Sequence, residues 1–148
     1  MPIALKRFAL ALVCLASAFA SASQPDCSNL VGDWKNQLGS TLSITGADFS
    51  TGKLTGTYTS PSGTSGQKYS LAGWVNQAAP ASAPNVVPVL AFSVQWGNYG
   101  SITSWTGYCE VRNSVPTIVT VWNLAQPASK FRWDHILANS DLFTPAGP

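Results

Sequence analysis

The residues of this chain that could do chemistry are aromatic and neutral rather than charged. Six tryptophans are present. Four of them, Trp96, Trp105, Trp122 and Trp133, follow residue 90 among small hydroxyl and amide residues: Ser93, Asn98, Ser101, Thr103, Ser104, Thr106, Thr120 and Asn123. Tryptophan carries a large apolar body with one polar handle, so a run of them lines a core or grips an apolar ligand. Aliphatic neighbours alone would mark a core. Hydroxyls and amides set between indoles fit a pocket with apolar walls and a few polar groups that orient a small molecule. Catalysis has little to draw on: His135 is the one histidine, and no serine sits in an elbow motif, whereas a hydrolase needs a nucleophile, a base and an orienting group. His135 also lacks metal-binding company. A non-enzymatic binding protein without metal or cofactor is expected. Trp34, just after Gly32, is expected in the core, and Trp74, on a strand partly facing out, is a candidate for a subunit interface with no firm account. Asp141 taken alone has the residue type of a turn cap.

These residues need a scaffold, and the period of the sequence supplies one. Thr41 to Thr45 alternates polar and apolar, as do Leu54 to Tyr58 and much of Thr117 to Trp122. Turn-forming clusters separate the runs at Ser50–Lys53, Ser60–Gly66, Gly97–Gly100 and Arg112–Pro116. Strands are expected at about 31–37, 40–46, 53–59, 68–75, 88–97, 102–112, 117–126 and 131–138, with a short turn of helix competing only within 131–138. The Ala/Pro/Ser segment from Gln77 to Pro88 is a loop, too short to divide domains. Eight sequential strands with hairpin-length joins predict an all-β fold, an eight-stranded antiparallel up-and-down β-barrel, with a sandwich as the structural alternative. A barrel of this size has room inside for one small ligand.

The first residues are expected to be a leader. Met1 to Arg7 is a short basic start, Phe8 to Phe19 is apolar, and Ala20-Ser21-Ala22 is a small-residue cleavage site. That is the pattern of a secretory signal over residues 1–22, too short to span a bilayer. Cys14 follows Val13, where lipoprotein processing would want a small residue. Ser23 is the expected first mature residue, with Ser21 as the alternative, leaving 23–148 as one domain outside the cell or in the periplasm. Lys6 and Arg7 leave with the signal, so six of the eight basic residues face six acidic ones. A net charge near zero gives no pull towards nucleic acid, and no membrane partner is expected. The low charged fraction, 9%, suggests surface hidden in an oligomer. In an oxidising compartment Cys27 and Cys109 are expected to form a disulfide. It would close a loop of roughly 80 residues and contribute about 4 kcal/mol in the chain-entropy picture.

Five fragments carry a more specific message. They are Gly32-Asp-Trp-Lys-Asn-Gln-Leu-Gly-Ser-Thr41, Thr55-Gly-Thr-Tyr-Thr-Ser60, Trp105-Thr-Gly-Tyr-Cys109, Thr120-Val-Trp-Asn-Leu124 and Asp141-Leu-Phe-Thr144. In this order and spacing, from about Cys27 to Thr144, the chain resembles the avidin/streptavidin family of biotin-binding proteins. Gly-x-Trp alone also opens lipocalins. A lipocalin-like barrel carrying another small apolar or planar ligand is therefore the alternative.

The resemblance implies an eight-stranded barrel and biotin as ligand. Biotin carries a planar ureido ring fused to a thioether ring, with a carboxylate at the end of an aliphatic tail. By similarity, Asn36, Ser40 and Tyr58 donate to the ureido oxygen, while Asp141 and Ser60 accept from its nitrogens. Trp96, Trp105 and Trp122 pack around the rings with Leu124, and Ser101 and Thr103 hold the carboxylate. Ser60 to Gly66 matches a closing loop, in which Thr64 stands in for a carboxylate contact. Tyr69 supports the site from behind. Trp133 matches a tryptophan that one subunit lends to its neighbour, so a homo-oligomer is implied, a tetramer before a dimer. Cys27 and Cys109 match the disulfide of the avidin branch. Asn139-Ser140 stand where streptavidin-like members have Gly-His, and the loop before Ser101 is shorter than theirs.

Overall fold

The computed structural model describes residues 24–62, 64 and 66–147. The expected signal at 1–22 and Ser23 lie outside the described residues. Eight strands run in chain order: β1 (Gly32–Asn36), β2 (Thr41–Asp48), β3 (Lys53–Thr59), β4 (Lys68–Asn76), β5 (Val89–Gln95), β6 (Ile102–Arg112), β7 (Val115–Ala125) and β8 (Ile136–Pro145). Each pairs antiparallel with the next, and β8 pairs with β1, so the sheet closes on itself as a barrel. Closure leaves no open sheet edge.

Period-two patterning decides which side chains enter the barrel. Along β3, Leu54, Gly56 and Tyr58 are buried between partly open neighbours, and along β5 Leu90, Phe92 and Val94 are buried likewise. Leu30, Trp34, Leu42, Ile44, Leu54, Ile118 and Phe143 are buried almost completely. Trp34 donates its indole N–H to Leu30 O at 2.9 Å, which satisfies the one polar atom of a side chain that is 0% exposed. Trp74, by contrast, stands outward and is 69% exposed. Cys27 and Cys109 are joined, with their Cα atoms 5.4 Å apart. The bond ties the segment before β1 to β6.

Tight joins come from residues that accept left-handed backbone. The β6–β7 hairpin turns at Asn113 and Ser114, with φ of 48° and 66°, the geometry of two-residue hairpin loops. At Gly107 a Cβ would collide with the carbonyl of Val119, so only glycine lets β6 and β7 approach so closely there.

The last strand differs from expectation. It spans Ile136–Pro145, not 131–138. Phe131 to Asp134 forms a turn, in which the Asp134 N–H donates to Phe131 O at 3.1 Å. From Ile136 to Ser140 every residue is exposed, so no apolar alternation marks the strand, while the aromatic cluster before it imitates one. Smaller shifts occur elsewhere. β5 stops at Gln95, and Gly97–Tyr99 makes a single 3-10 turn ended by Gly100 at φ 70°. β7 begins at Val115 despite Pro116.

Candidate functional site

One end of the barrel holds a cavity of about 490 Å³. Twelve of the thirteen residues expected to touch a ligand line it: Asn36, Ser40, Tyr58, Ser60, Thr64, Trp96, Ser101, Thr103, Trp105, Trp122, Leu124 and Asp141. Trp133 does not. It lies in the β7–β8 turn, 74% exposed, stacked on Phe131 with ring centroids 4.8 Å apart and planes 3° apart. Tyr69 is outside the lining as well. Its ring meets Trp96 edge-on at 5.2 Å, and its hydroxyl donates to Gln67 Oε1 at 3.0 Å.

The polar centre is Asp141, on β8 and 2% exposed. Its Oδ2 accepts the Trp105 indole N–H at 2.9 Å, and its Oδ1 accepts from Asn36 Nδ2 at 3.1 Å and Gln37 Nε2 at 3.3 Å. A carboxylate has about four lone-pair sites, so one acceptor position remains beyond these three bonds. Thr120, its partner across β7–β8, donates its hydroxyl to the Asp141 carbonyl at 3.2 Å.

Neutral donors stand nearby. Asn36 ends β1, and its Oδ1 accepts the backbone N–H groups of Leu38 at 3.0 Å and Ser40 at 2.8 Å. Those two bonds fix which way the amide points. Its Nδ2 therefore faces Asp141 with one hydrogen and keeps the other for a ligand acceptor. Tyr58, on β3, is 3% exposed. Burial pushes its phenol up to about 12; Ser40 pulls it down, and the Asp141 charge adds to the rise. At neutral pH the hydroxyl is thus a secure donor.

The aromatic walls are held by their own contacts. Trp105 packs between Phe92, stacked at 4.9 Å, and Tyr58 at 4.8 Å. Trp122 is its cross-strand partner, and Leu124 pairs with Thr103. Trp96 donates its indole N–H to Thr103 Oγ1 at 2.8 Å, leaving the threonine proton to donate elsewhere.

In the loop after β3 the Ser60 hydroxyl donates to Ser62 O at 3.1 Å, so its lone pairs serve as acceptors. Thr64 Oγ1 donates to Ser60 O at 3.1 Å; to donate to a carboxylate it would first release that bond. Among the described residues no group of three or more His, Cys, Asp or Glu is gathered as for a metal.

An apolar-walled chamber with one buried carboxylate and converging neutral donors suits a small polar ring that both donates and accepts. The sequence pattern described as the Avidin family matches residues 24–146. The chain belongs to the avidin family. It is 36% identical over 121 residues to afifavidin of Afifella pfennigii, an alignment covering 75% of this chain and 65% of that protein. It thus spans just under two thirds of afifavidin's length. It is 36% identical over 144 residues to avidin of Gallus gallus, covering 91% and 89% of the two chains. Among solved structures it resembles xenavidin, with a TM-score of 0.63 and 28% identity over 80% of this chain and 98% of that one. It also resembles the biotin binding protein from chicken, with a TM-score of 0.66 and 27% identity over 82% and 99%.

In this avidin-family barrel, Leu38, Ser62, Tyr99 and Gln126 also line the cavity, and Gln37 bonds to Asp141. Apart from Ser62, which belongs to the expected closing loop, the sequence does not single them out. Leu38 and Ser62 lie within the quoted or flanking turns, so proximity to Asn36 and Ser60 was an available signal. Gln126 carried none, because it follows the alternating run of β7 and lines the cavity through the tertiary fold.

Proposed function

We propose that this chain is a non-catalytic, exported protein that binds biotin in the tryptophan-lined cavity. Family membership supports the ligand, as does the structural likeness to a biotin binding protein from chicken. The observation that carries the reading is the pairing of a buried carboxylate, Asp141, with the neutral donors Asn36, Ser40 and Tyr58 around one cavity. A ureido group needs donors at its oxygen and acceptors at its nitrogens, because each buried polar atom left unpaired costs about 1–3 kcal/mol. Asn36, Ser40 and Tyr58 take the oxygen, and Asp141 and Ser60 take the nitrogens. Trp96, Trp105, Trp122 and Leu124 clasp the rings, and Ser101, Thr103 and Thr64 meet the tail.

Trp133 completes the site of a neighbouring subunit in a homo-oligomer, a tetramer before a dimer. Its exposure supports this reading, as do the outward apolar residues Val121, Ile136 and Leu142, which are 61%, 64% and 42% exposed. Titration with biotin and a fluorescent biotin conjugate tests the function: saturable binding is expected, and none at micromolar ligand ends the claim.

A second reading, another small planar or apolar ligand, is favoured by Ser62 in the closing loop, whose carbonyl engages the Ser60 hydroxyl. Competition by a non-biotin ligand that outperforms biotin would select it.

A further inference from the structure

Gln37 follows β1 directly and is exposed, outside the cavity. The β1–β8 ladder ends at Asn36 opposite Phe143, so one residue further on β8 has no β1 backbone beside it. The Gln37 side chain takes that place. Its Oε1 accepts the N–H of Leu142 at 3.0 Å, and its Nε2 donates to the C=O of Ser140 at 3.2 Å. The backbone groups on both sides of Asp141 are thus held by one amide. The same Nε2 also reaches Asp141 Oδ1 at 3.3 Å. An amide has both donor and acceptor in a fixed plane, as a peptide rung does. Glutamate lacks the donor.

We propose that Gln37 is a positioning residue for the ligand's carboxylate partner: it extends the barrel seam past the end of β1 and holds Asp141 where its remaining lone pair faces the cavity. The proposal rests on the biotin reading, in which Asp141 accepts a ureido N–H. Without Gln37, residues 140–142 lose their tether on the β1 side and the Asp141 carboxylate loses one of three donors.

The test uses the full mature chain with Gln37→Ala, Gln37→Glu, Asp141→Ala and the double variant Gln37→Ala/Asp141→Ala. Gln37→Ala is expected to speed biotin dissociation about tenfold, the scale of one hydrogen bond to a charged acceptor. Gln37→Glu should lose at least as much, since it sets a second carboxylate beside Asp141. In the Asp141→Ala background the Gln37→Ala effect should shrink below about twofold, because coupled residues are not additive. A Gln37→Ala rate within about twofold of the parent chain, or the same loss in both backgrounds, overturns the proposal. A readout without ligand separates this role from the biotin reading. The ¹⁵N–¹H resonance of the Trp105 indole, bonded to Asp141 Oδ2, should shift in Gln37→Ala, and the Leu142 amide should exchange faster. An unmoved indole resonance overturns the positioning role whatever the chain binds. A shifted resonance in a parent chain that binds no biotin supports the positioning role and sinks the biotin reading alone.

Discussion

Replacing Asp141 with alanine probes the site most directly, and the structure sets the size of the effect. The carboxylate is 2% exposed and already accepts from Trp105, Asn36 and Gln37. A ligand N–H taking the remaining lone pair would make a charge-assisted bond, worth about 1.5–3 kcal/mol. In the variant that N–H enters an apolar chamber with no acceptor, a desolvation cost of about 1–3 kcal/mol. The orphaned Trp105 indole is unpaired with or without ligand, so it lowers stability rather than affinity. Asn36 stays oriented through its bonds from Leu38 and Ser40, so the bond proposed from it to the ureido oxygen would be kept. Together these terms predict a loss of about 3 kcal/mol, on the order of 100-fold in Kd. Asp141→Asn should not rescue it, since one end of the new amide must set N–H against the donors of Trp105 or Asn36. Displacement of a fluorescent biotin conjugate measures the affinity, and a thermal melt by circular dichroism shows whether the barrel persists. A loss below tenfold in a folded variant refutes the assigned role. A lowered melting point with unchanged affinity would make Asp141 only the structural partner of Trp105.

Tyr58→Phe should weaken biotin binding by about 1–2 kcal/mol, the worth of one buried hydroxyl bond, measured by the same displacement. Because the folded phenol titrates near 12 against an ordinary 10.0, the native state holds a proton that the unfolded chain releases. The stability contributed by this phenol should therefore be level below pH 10 and fall as pH rises towards 12; melting temperature against pH should lose that component in Tyr58→Phe. Replacing Cys27 and Cys109 together with serine should cost up to about 4 kcal/mol of stability, seen as a calorimetric melting point that no longer responds to reductant. Biotin affinity should change less than about threefold, since neither cysteine lines the cavity. Trp133→Ala should weaken biotin binding at least about tenfold and shift native mass towards smaller assemblies, as truncated aromatic anchors do. Weaker binding at unchanged mass would place Trp133 in its own barrel.

What could be read from the sequence followed the interactions that leave a local trace. Strands such as β2 and β3 are legible because buried inward residues alternate with more open, mostly polar ones, as in Leu42-Ser43-Ile44 and Leu54-Thr55-Gly56-Thr57-Tyr58; for the others the turn clusters between them set the spacing. The strand that was misplaced, β8, carries Asp141 at the site on a run whose first five residues are exposed. Over Ile136–Ser140 the pattern answers to the outer surface and not to an apolar core, so periodicity had only Asp141 and Phe143, buried on either side of Leu142, to detect. Eight of the expected cavity-lining residues, Asn36, Ser40, Tyr58, Ser60, Trp105, Trp122, Leu124 and Asp141, were visible through five fragments in register. Gln37 was present in the first fragment yet had no visible role. Its significance depends on where β1 stops relative to β8, a register fact that arises only when residues more than 100 positions apart close the barrel. Side chains that face inward on a strand are therefore legible one strand at a time. A side chain that finishes a seam between the first and last strands is legible only in the closed fold, and in this barrel that seam runs beside the carboxylate on which the proposed binding depends.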